Sequence, residues 1–346
     1  MHTERAGSRP RRACRTPRVR LTAIGALLCL CGLAQAGPVC AERQADRPAL
    51  ERLRTALAIG RFVAYHPTAL QIHAGRASAA DPASIRADLE VLRARFDGLI
   101  TYGALDGHEA IPAIARELGF RALVIGVWDP SNAAELDAAL VAAHRYPQLV
   151  VGVSLGNEML FSHRRSPDQL LAVMASVHTR APALPLSTTE PFHIFYDPQT
   201  FELQRQLDFL MVNVHPIYQA WFHAVPDTAA AQFVIDVTHR LAQQFCGPIL
   251  VKETGVPTAP VAAGFTEQRQ ATFYAALRER YLPSRNSAFA YFSAFDASWR
   301  VADTQASPGE HPEEAHWGLY DERRNPKAVV GQIPVLRSAG NSGIIH

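Results

Sequence analysis

Eight times between residues 61 and 346, a short run rich in β-branched and other apolar residues is followed by a longer stretch with helical periodicity. No other feature restricts the fold of this chain as much. The runs predict strands at 61–65, 98–101, 121–127, 149–154, 184–188, 209–213, 249–252 and 288–292. Helical patterns are clearest at 82–95, 109–118, 132–145, 167–180, 227–245 and 266–281, several opening on a proline or a polar cap such as Asp81-Pro82 and Ser166-Pro167. A weak fifth helix is expected near 200–206, and an eighth should start near Asn325-Pro326. Strict alternation of this kind predicts an α/β fold, a single-domain (β/α)8 TIM barrel over 61–346. Such barrels carry their chemistry at the C-terminal ends of the strands, so reactive side chains should lie just past these runs.

The first 36 residues belong to something else. Seven arginines and one glutamate precede an apolar run, LTAIGALLCLCGLA, and then the small-residue pattern Ala34-Gln35-Ala36. Charged, apolar and small-residue regions in this order predict a secretory signal peptide over 1–36 and an exported protein, periplasmic or secreted. The apolar run falls short of the ~20 residues that span a bilayer, so no stable membrane partner is expected after cleavage. Residues 37–60 form a lead-in. The whole chain is only +2, so the body is mildly acidic and gives no reason to expect a nucleic-acid partner. Three of the five cysteines lie inside the signal, leaving Cys40 and Cys246 after a cut at Ala36, or Cys246 alone after a cut at Ala41. No disulfide framework is expected, and stability should come from a large core.

Two glutamates stand where barrel chemistry belongs. The fourth run ends VVGVSLGNEML, placing Glu158 after the strand, and the seventh ends ILVKETGVPT, placing Glu253 at its tip. Strands four and seven are three apart on a ring of eight, so both tips can face one cleft. Glycosidic cleavage requires two carboxylates across a cleft, one to protonate the leaving oxygen and one to attack the anomeric carbon or activate water. A glutamate at a strand-to-loop junction is more often a cap or a surface residue, and it is the pairing that raises the catalytic reading.

These strings resemble those of glycoside hydrolase family 17, the β-1,3-glucanases and related transglycosylases, in its bacterial branch. LGNEML is similar to that family's acid/base motif and KETGVPT to its nucleophile motif. VNVHPIY is similar to its sixth-strand motif, and YFSAFDASWR with HWGLYDERRNPK to its C-terminal signatures; FVAYHP and LITYG fit the first two strand ends. The likeness runs from about Arg61 to Lys327. One departure is Val256, where the family commonly has tryptophan. The resemblance implies a retaining enzyme acting on β-1,3-linked glucan, with Glu253 as nucleophile, Glu158 as acid and then base, and no cofactor or metal. It further implies that Asn157 binds the sugar 2-hydroxyl and that Tyr65, Tyr102, His215 and Tyr218 line the cleft. Tyr65 also fits a barrel-core residue, and His215 a buried hydrogen-bonding histidine. Trp221, Phe295 and Trp299 are further candidates for binding the substrate. All four tryptophans, Trp128, Trp221, Trp299 and Trp317, follow predicted strands, where flat rings suit stacking on pyranose faces, although at least one should merely pack a long loop.

Two other readings compete. Gly152-Val153-Ser154-Leu155-Gly156 spells the G-x-S-x-G nucleophile elbow of a serine esterase. That elbow needs a sharp turn at the serine, whereas here the β-like run continues through it. A non-catalytic periplasmic glycan-binding barrel would share the fold, but retention of both glutamates argues against it. The fourteen histidines show no metal-ligand spacing, and His311 and His316, in HPEEAH, read as part of a surface loop.

Overall fold

The computed structural model describes residues 38–40, 47–73, 76–303 and 310–336, all within one unit beginning at Gly37. The signal-peptide expectation for 1–36 lies outside the described residues. Eight parallel strands close a barrel in chain order: β1 (Phe62–Ala64), β2 (Gly98–Ile100), β3 (Ala122–Val127), β4 (Val150–Asn157), β5 (Leu186–Pro191), β6 (Leu210–Asn213), β7 (Ile249–Glu253) and β8 (Ser287–Tyr291). The ring closes where Phe62 of β1 pairs with Ala290 of β8. A two-stranded hairpin, Gln71–His73 with Arg76–Ser78, lies in the β1–β2 connection.

The helices follow from their caps. The lead-in supplies α1 (Arg47–Ile59). Asp81 accepts from the Ser84 amide to start α2 (Pro82–Arg93), and α3 (Ile111–Glu117) follows a short 3-10 turn. Asn132 caps α4 (Ala133–Arg145), and Ser166 with Gln169 forms a reciprocal capping box at α5 (Pro167–Arg180). The fifth connection holds only α6 (Phe201–Gln204), then come α7 (Asp227–Gln244) and α8 (Glu267–Arg280), the latter capped by Thr266. The expected eighth helix is absent among the described residues. In its place stands a single 3-10 turn, Ala328–Gln332, bracketed by Pro326 and Pro334 and containing Gly331, a set that stops helix propagation.

One buried cluster fills the lower barrel, where Leu53 and Leu57 of α1 meet Phe62, Ile100, Val124, Phe209, Met211 and Leu250. Two glycines make this layer possible. A Cβ on Gly98 would stand 2.6 Å from the Phe62 ring, and one on Gly152 would stand 2.8 Å from the Phe209 ring. The larger cluster lies between the barrel wall and the helices, with residues such as Leu89, Leu123, Val153, Leu170, Val234 and Phe273.

The base carries a correction to the cysteine reading. Cys40 and Cys246 form a disulfide, with Cα atoms 4.9 Å apart across 206 residues of chain. Beside it Val39 is buried and pairs with the end of α7: its amide donates to Gln244 O at 2.6 Å, and its carbonyl accepts from Cys246 N at 3.1 Å. Two cysteines this far apart form no spacing pattern, which is why the sequence does not announce the bond.

Candidate active site

Each of the two glutamate-bearing strands gains an extra residue just before its tip. On β4 the pairing with β5 slips between Ser154 and Asn157, and on β7 the partners Val212↔Val251 and Asn213↔Glu253 leave Lys252 unpaired. Bulges of this kind re-aim side chains at a sheet's end. Here the second one lets consecutive residues, Lys252 and Glu253, both turn toward the mouth.

Past β4 the chain turns tightly. Gly156 has φ +87 and Glu158 itself has φ +53, a left-handed backbone that glycine adopts freely and glutamate does not. The turn is held by Glu158 N donating to Thr189 O at 2.8 Å. Glu190, at the end of β5 and wholly buried, accepts from Leu160 N at 2.9 Å and Phe161 N at 3.1 Å. Strain concentrated at a non-glycine residue and fixed by neighbouring groups is characteristic of functional positions.

The two carboxyls are shifted in opposite directions. The Glu158 carboxyl is raised from its ordinary value, first by desolvation and then by the charge of Glu253. The 2.8 Å hydrogen bond that Asn213 Nδ2 donates to Glu158 Oε1 opposes this only in part. For Glu253 burial alone would raise the pKa, but the Lys252 ammonium, 3.3 Å from Oε1, and His215 Nε2, 3.3 Å from Oε2, outweigh it and bring the carboxyl down to about 2. One carboxyl therefore retains a proton more readily while its neighbour is firmly ionised.

Most of the sequence-derived site residues gather here. Asn157 presents its Oδ1 to Lys252 Nζ at 2.5 Å, and the same ammonium lies 4.0 Å above the Tyr102 ring. Burial and the adjacent Glu253 charge push the Tyr102 phenol well up. Tyr218 is exposed and donates to Glu314 Oε1 at 2.6 Å, and Trp299 is half-buried, edge-on to His66. Three residues are placed differently. Tyr65 is fully buried and its hydroxyl is spent on Asp88 Oδ2 at 2.9 Å. Phe295 is fully buried between Tyr65 and Tyr320. Trp221 packs half-buried against Phe233 of α7. In each case packing against the barrel wall or a helix takes the ring that a sugar would need. Of the remaining tryptophans, Trp317 is a buried loop anchor, whereas Trp128 stays exposed with Arg164 stacked on its ring.

Several site residues were not singled out from sequence. Lys252 stands inside KETGVPT and Asn213 inside VNVHPIY, two strings already recognised, whereas Glu190, in STTEP past the fifth predicted strand, lies in none of them. The HPEEAH stretch corrects the surface-loop reading. Its Glu314 is buried and accepts from Tyr218, from Arg300 at 3.1 Å and from Trp317 Nε1 at 3.1 Å. Arg300 opens α9 (Arg300–Asp303), so this carboxylate ties the β6 and β8 connections together. His66 is buried with Nε2 unpartnered, and burial, aided by Arg300, lowers it to about 3, so it is neutral. Ser154 is no nucleophile elbow. It sits within β4, 2% exposed, with its hydroxyl 2.9 Å from that of Thr189.

A carboxyl shifted up and a carboxylate held down across one mouth, with aromatic side chains beside them, suit acid-assisted displacement at an anomeric carbon. The comparisons agree with this chemistry. A curated relative, a glucan 1,3-beta-glucosidase from Arthroderma benhamiae, is 27% identical over 71% of this chain and 84% of its own length. Among solved structures, the glycoside hydrolase family 17 beta-1,3-glucanosyltransferase from Rhizomucor miehei matches with TM-score 0.58 at 20% identity, covering 78% of this chain and 95% of that one. An active-site mutant of the same enzyme in complex with laminaritriose matches with TM-score 0.59 at 19% identity, covering 78% and 96%. At these identities the two structures speak for the fold. The model of the BtgE/BtgC glycoside hydrolase domain matches residues 63–318, from β1 to the loop that carries Trp317. With both glutamate-bearing strand tips inside that match, the chain belongs to the BtgE/BtgC glycoside hydrolase domain family and is a glycoside hydrolase.

Proposed function

We propose that this enzyme cleaves β-1,3-linked glucan with retention of configuration, Glu253 acting as nucleophile and Glu158 as acid and then base. The opposite shifts of the two carboxyls, with Lys252 and His215 set against Glu253 alone, carry this reading. Glu158 gives its proton to the glycosidic oxygen while a Glu253 oxygen bonds to the anomeric carbon and the leaving sugar departs. Glu158, now a carboxylate, takes a proton from the incoming hydroxyl as that oxygen displaces Glu253. Water in that role completes hydrolysis, and a sugar hydroxyl completes transfer. The 1,3 linkage is supported by the glucan 1,3-beta-glucosidase relative and by the laminaritriose bound to the Rhizomucor enzyme.

Opposite anomers test the two roles. With an aryl β-glycoside that the wild type accepts, Glu253→Gly plus azide should give the α-glycosyl azide through one inversion. Glu158→Ala should give the β-glycosyl azide through two inversions. Exchanged anomers would reverse the assignment, and wild-type turnover of unactivated glucan by both variants would remove it. Laminari-oligosaccharide products longer than the starting sugar would establish transfer.

We also infer that the enzyme works outside the cytoplasm, periplasmic or secreted. The basic, apolar and small-residue order of 1–36 supports this, as does the Cys40–Cys246 disulfide, a bond that persists in oxidising compartments. The N-terminal sequence of the exported protein should begin near Gly37. A start beyond Cys40 would remove the disulfide from the mature protein, and an intact leader on a cytoplasmic product would count against export.

A further inference from the structure

The reaction as proposed makes no use of Lys252, yet its ammonium lies where a charge is costly. The residue is 2% exposed and is the bulged, unpaired residue of β7. Burial lowers the pKa of this lysine, the nearby Glu253 charge opposes that, and a buried ammonium persists only when it is matched. Three groups match this one: Asn157 Oδ1 at 2.5 Å, Glu253 Oε1 at 3.3 Å and the Tyr102 ring at 4.0 Å. These partners come from three different strand tips, at the end of β4, at the end of β7 and after β2.

We propose that Lys252 is a positioning residue that locks the nucleophile Glu253 and the sugar-binding amide of Asn157 into one unit. This rests on the assignment of Glu253 as nucleophile. An amide has one acceptor oxygen and one donor nitrogen. With its Oδ1 held by the ammonium, Asn157 is fixed in one flip state, leaving Nδ2 as the amide atom free to donate to a sugar hydroxyl. The same ammonium draws Glu253 Oε1 to its place and favours the ionised carboxylate. Lys252 thus couples readiness of the nucleophile to orientation of a hydrogen-bond donor beside it. Other charged or titratable groups face this pair from every side: Glu158 on the β4 turn, His215 after β6, Tyr102 after β2, His66 after β1 and Arg300 in α9. None of these replaces Lys252, because among the described residues no other cation touches both Glu253 and Asn157.

Two variants separate the two halves of the role. Lys252→Met removes both the charge and the donor at nearly constant length. Lys252→Gln keeps a neutral donor for Asn157 and removes only the charge. The readouts are the acidic limb of kcat/KM against pH, and the ratio of kcat/KM for an aryl β-laminaribioside to that of its counterpart lacking the 2-hydroxyl on the sugar undergoing attack. Lys252→Met should shift the acidic limb upward by at least one pH unit and lower the ratio about tenfold, the equivalent of one hydrogen bond. Lys252→Gln should move the limb and largely keep the ratio. Asn157→Ala should lower the ratio and leave the limb in place. A folded Lys252→Met enzyme with a lower rate but unmoved limb and ratio would reduce Lys252 to packing and overturn the proposal. Should neither lysine variant fold, a wild-type acidic limb in the ordinary range of 4 to 5 would overturn it equally, since Glu253 would then not be held down, and a limb well below that range would sustain it. If instead Glu253→Gly retains wild-type turnover, the nucleophile assignment itself has failed.

Discussion

Glu190 never reaches the cleft mouth, yet it sets the shape of the turn that carries the acid/base candidate. Both its oxygens accept backbone amides from the segment just past Glu158, and burial followed by the charge of Glu158 still raises it from 4.5 to about 7. A carboxyl raised on folding contributes stability that is complete below its unfolded value and is lost as pH rises through its folded value. The window is therefore about 4.5 to 7, and a shift of that size corresponds to on the order of 3 kcal/mol. Glu190→Gln should gain on the wild type by up to that amount between pH 4.5 and 8. Denaturant unfolding at several pH values checks this, and parallel curves for the two proteins would contradict it. Glu253 acts in the opposite sense but outside this window, because its lowered pKa places its loss of stability below pH 4.5. At this scale the sequence was legible where a motif names its residue, as for Glu158 and Glu253. It was silent on Glu190, Lys252 and Glu314, because nothing in a string shows which of two neighbouring carboxylates turns inward, or that a strand will bulge.

At the scale of elements, the eighth connection departs furthest from a repeating barrel. Where another β/α unit would continue directly into a helix, the chain runs through α9 and the 3-10 turn Pro312–His316 back toward β8. Glu314 fastens it by accepting from Tyr218, Arg300 and Trp317. Burial alone would raise this carboxyl, but Arg300 and the Tyr218 hydroxyl bring it below its ordinary value, so the clamp is ionised. Glu314→Gln should free Tyr218 and slacken this wall of the cleft, raising KM for laminari-oligosaccharides roughly tenfold, or about 1.4 kcal/mol, with kcat falling less. Steady-state kinetics would decide, and an unchanged KM would show that Tyr218 takes no part in binding. The six helices recognised by cap and periodicity were readable because both signals are local. The eighth was misread because Asn325-Pro326 looks like a helix start, while Gly331 and Pro334, a few residues on, leave no room for one. Phe295 was misplaced for a related reason, and Tyr65 took the barrel-core alternative of its two readings. Residues on one strand end share a motif, but the barrel wall decides which face each one takes.

For the molecule as a whole, the covalent tie joins the lead-in to the end of α7 at the base, remote from the cleft mouth. Closing a loop this long removes much unfolded-state entropy, and loss of such a bond typically costs about 2–5 kcal/mol. Cys246→Ser should therefore lower Tm measurably while leaving kcat/KM on laminari-oligosaccharides within twofold. Calorimetry and kinetics on the same preparation would show it, and a parallel loss of activity would mean that strain at the base reaches the strand tips. The barrel itself was legible throughout, since eight apolar runs in register with eight connections leave few other topologies. The tie was not, being a contact between residues 206 apart.

The described chain also enters and leaves on that same side. Val39 is stitched beside Cys246, while at the other end Leu336 N donates to Ala94 O at 2.9 Å, and the Arg61 and Arg95 guanidinium groups hold the carbonyls of Pro334 and Ile333. A tether joined at Val39 or at Leu336 thus starts from the face opposite the strand tips. Immobilised on a bead or displayed on a cell, the enzyme would present its opening outward, toward a polymer too large to diffuse around it.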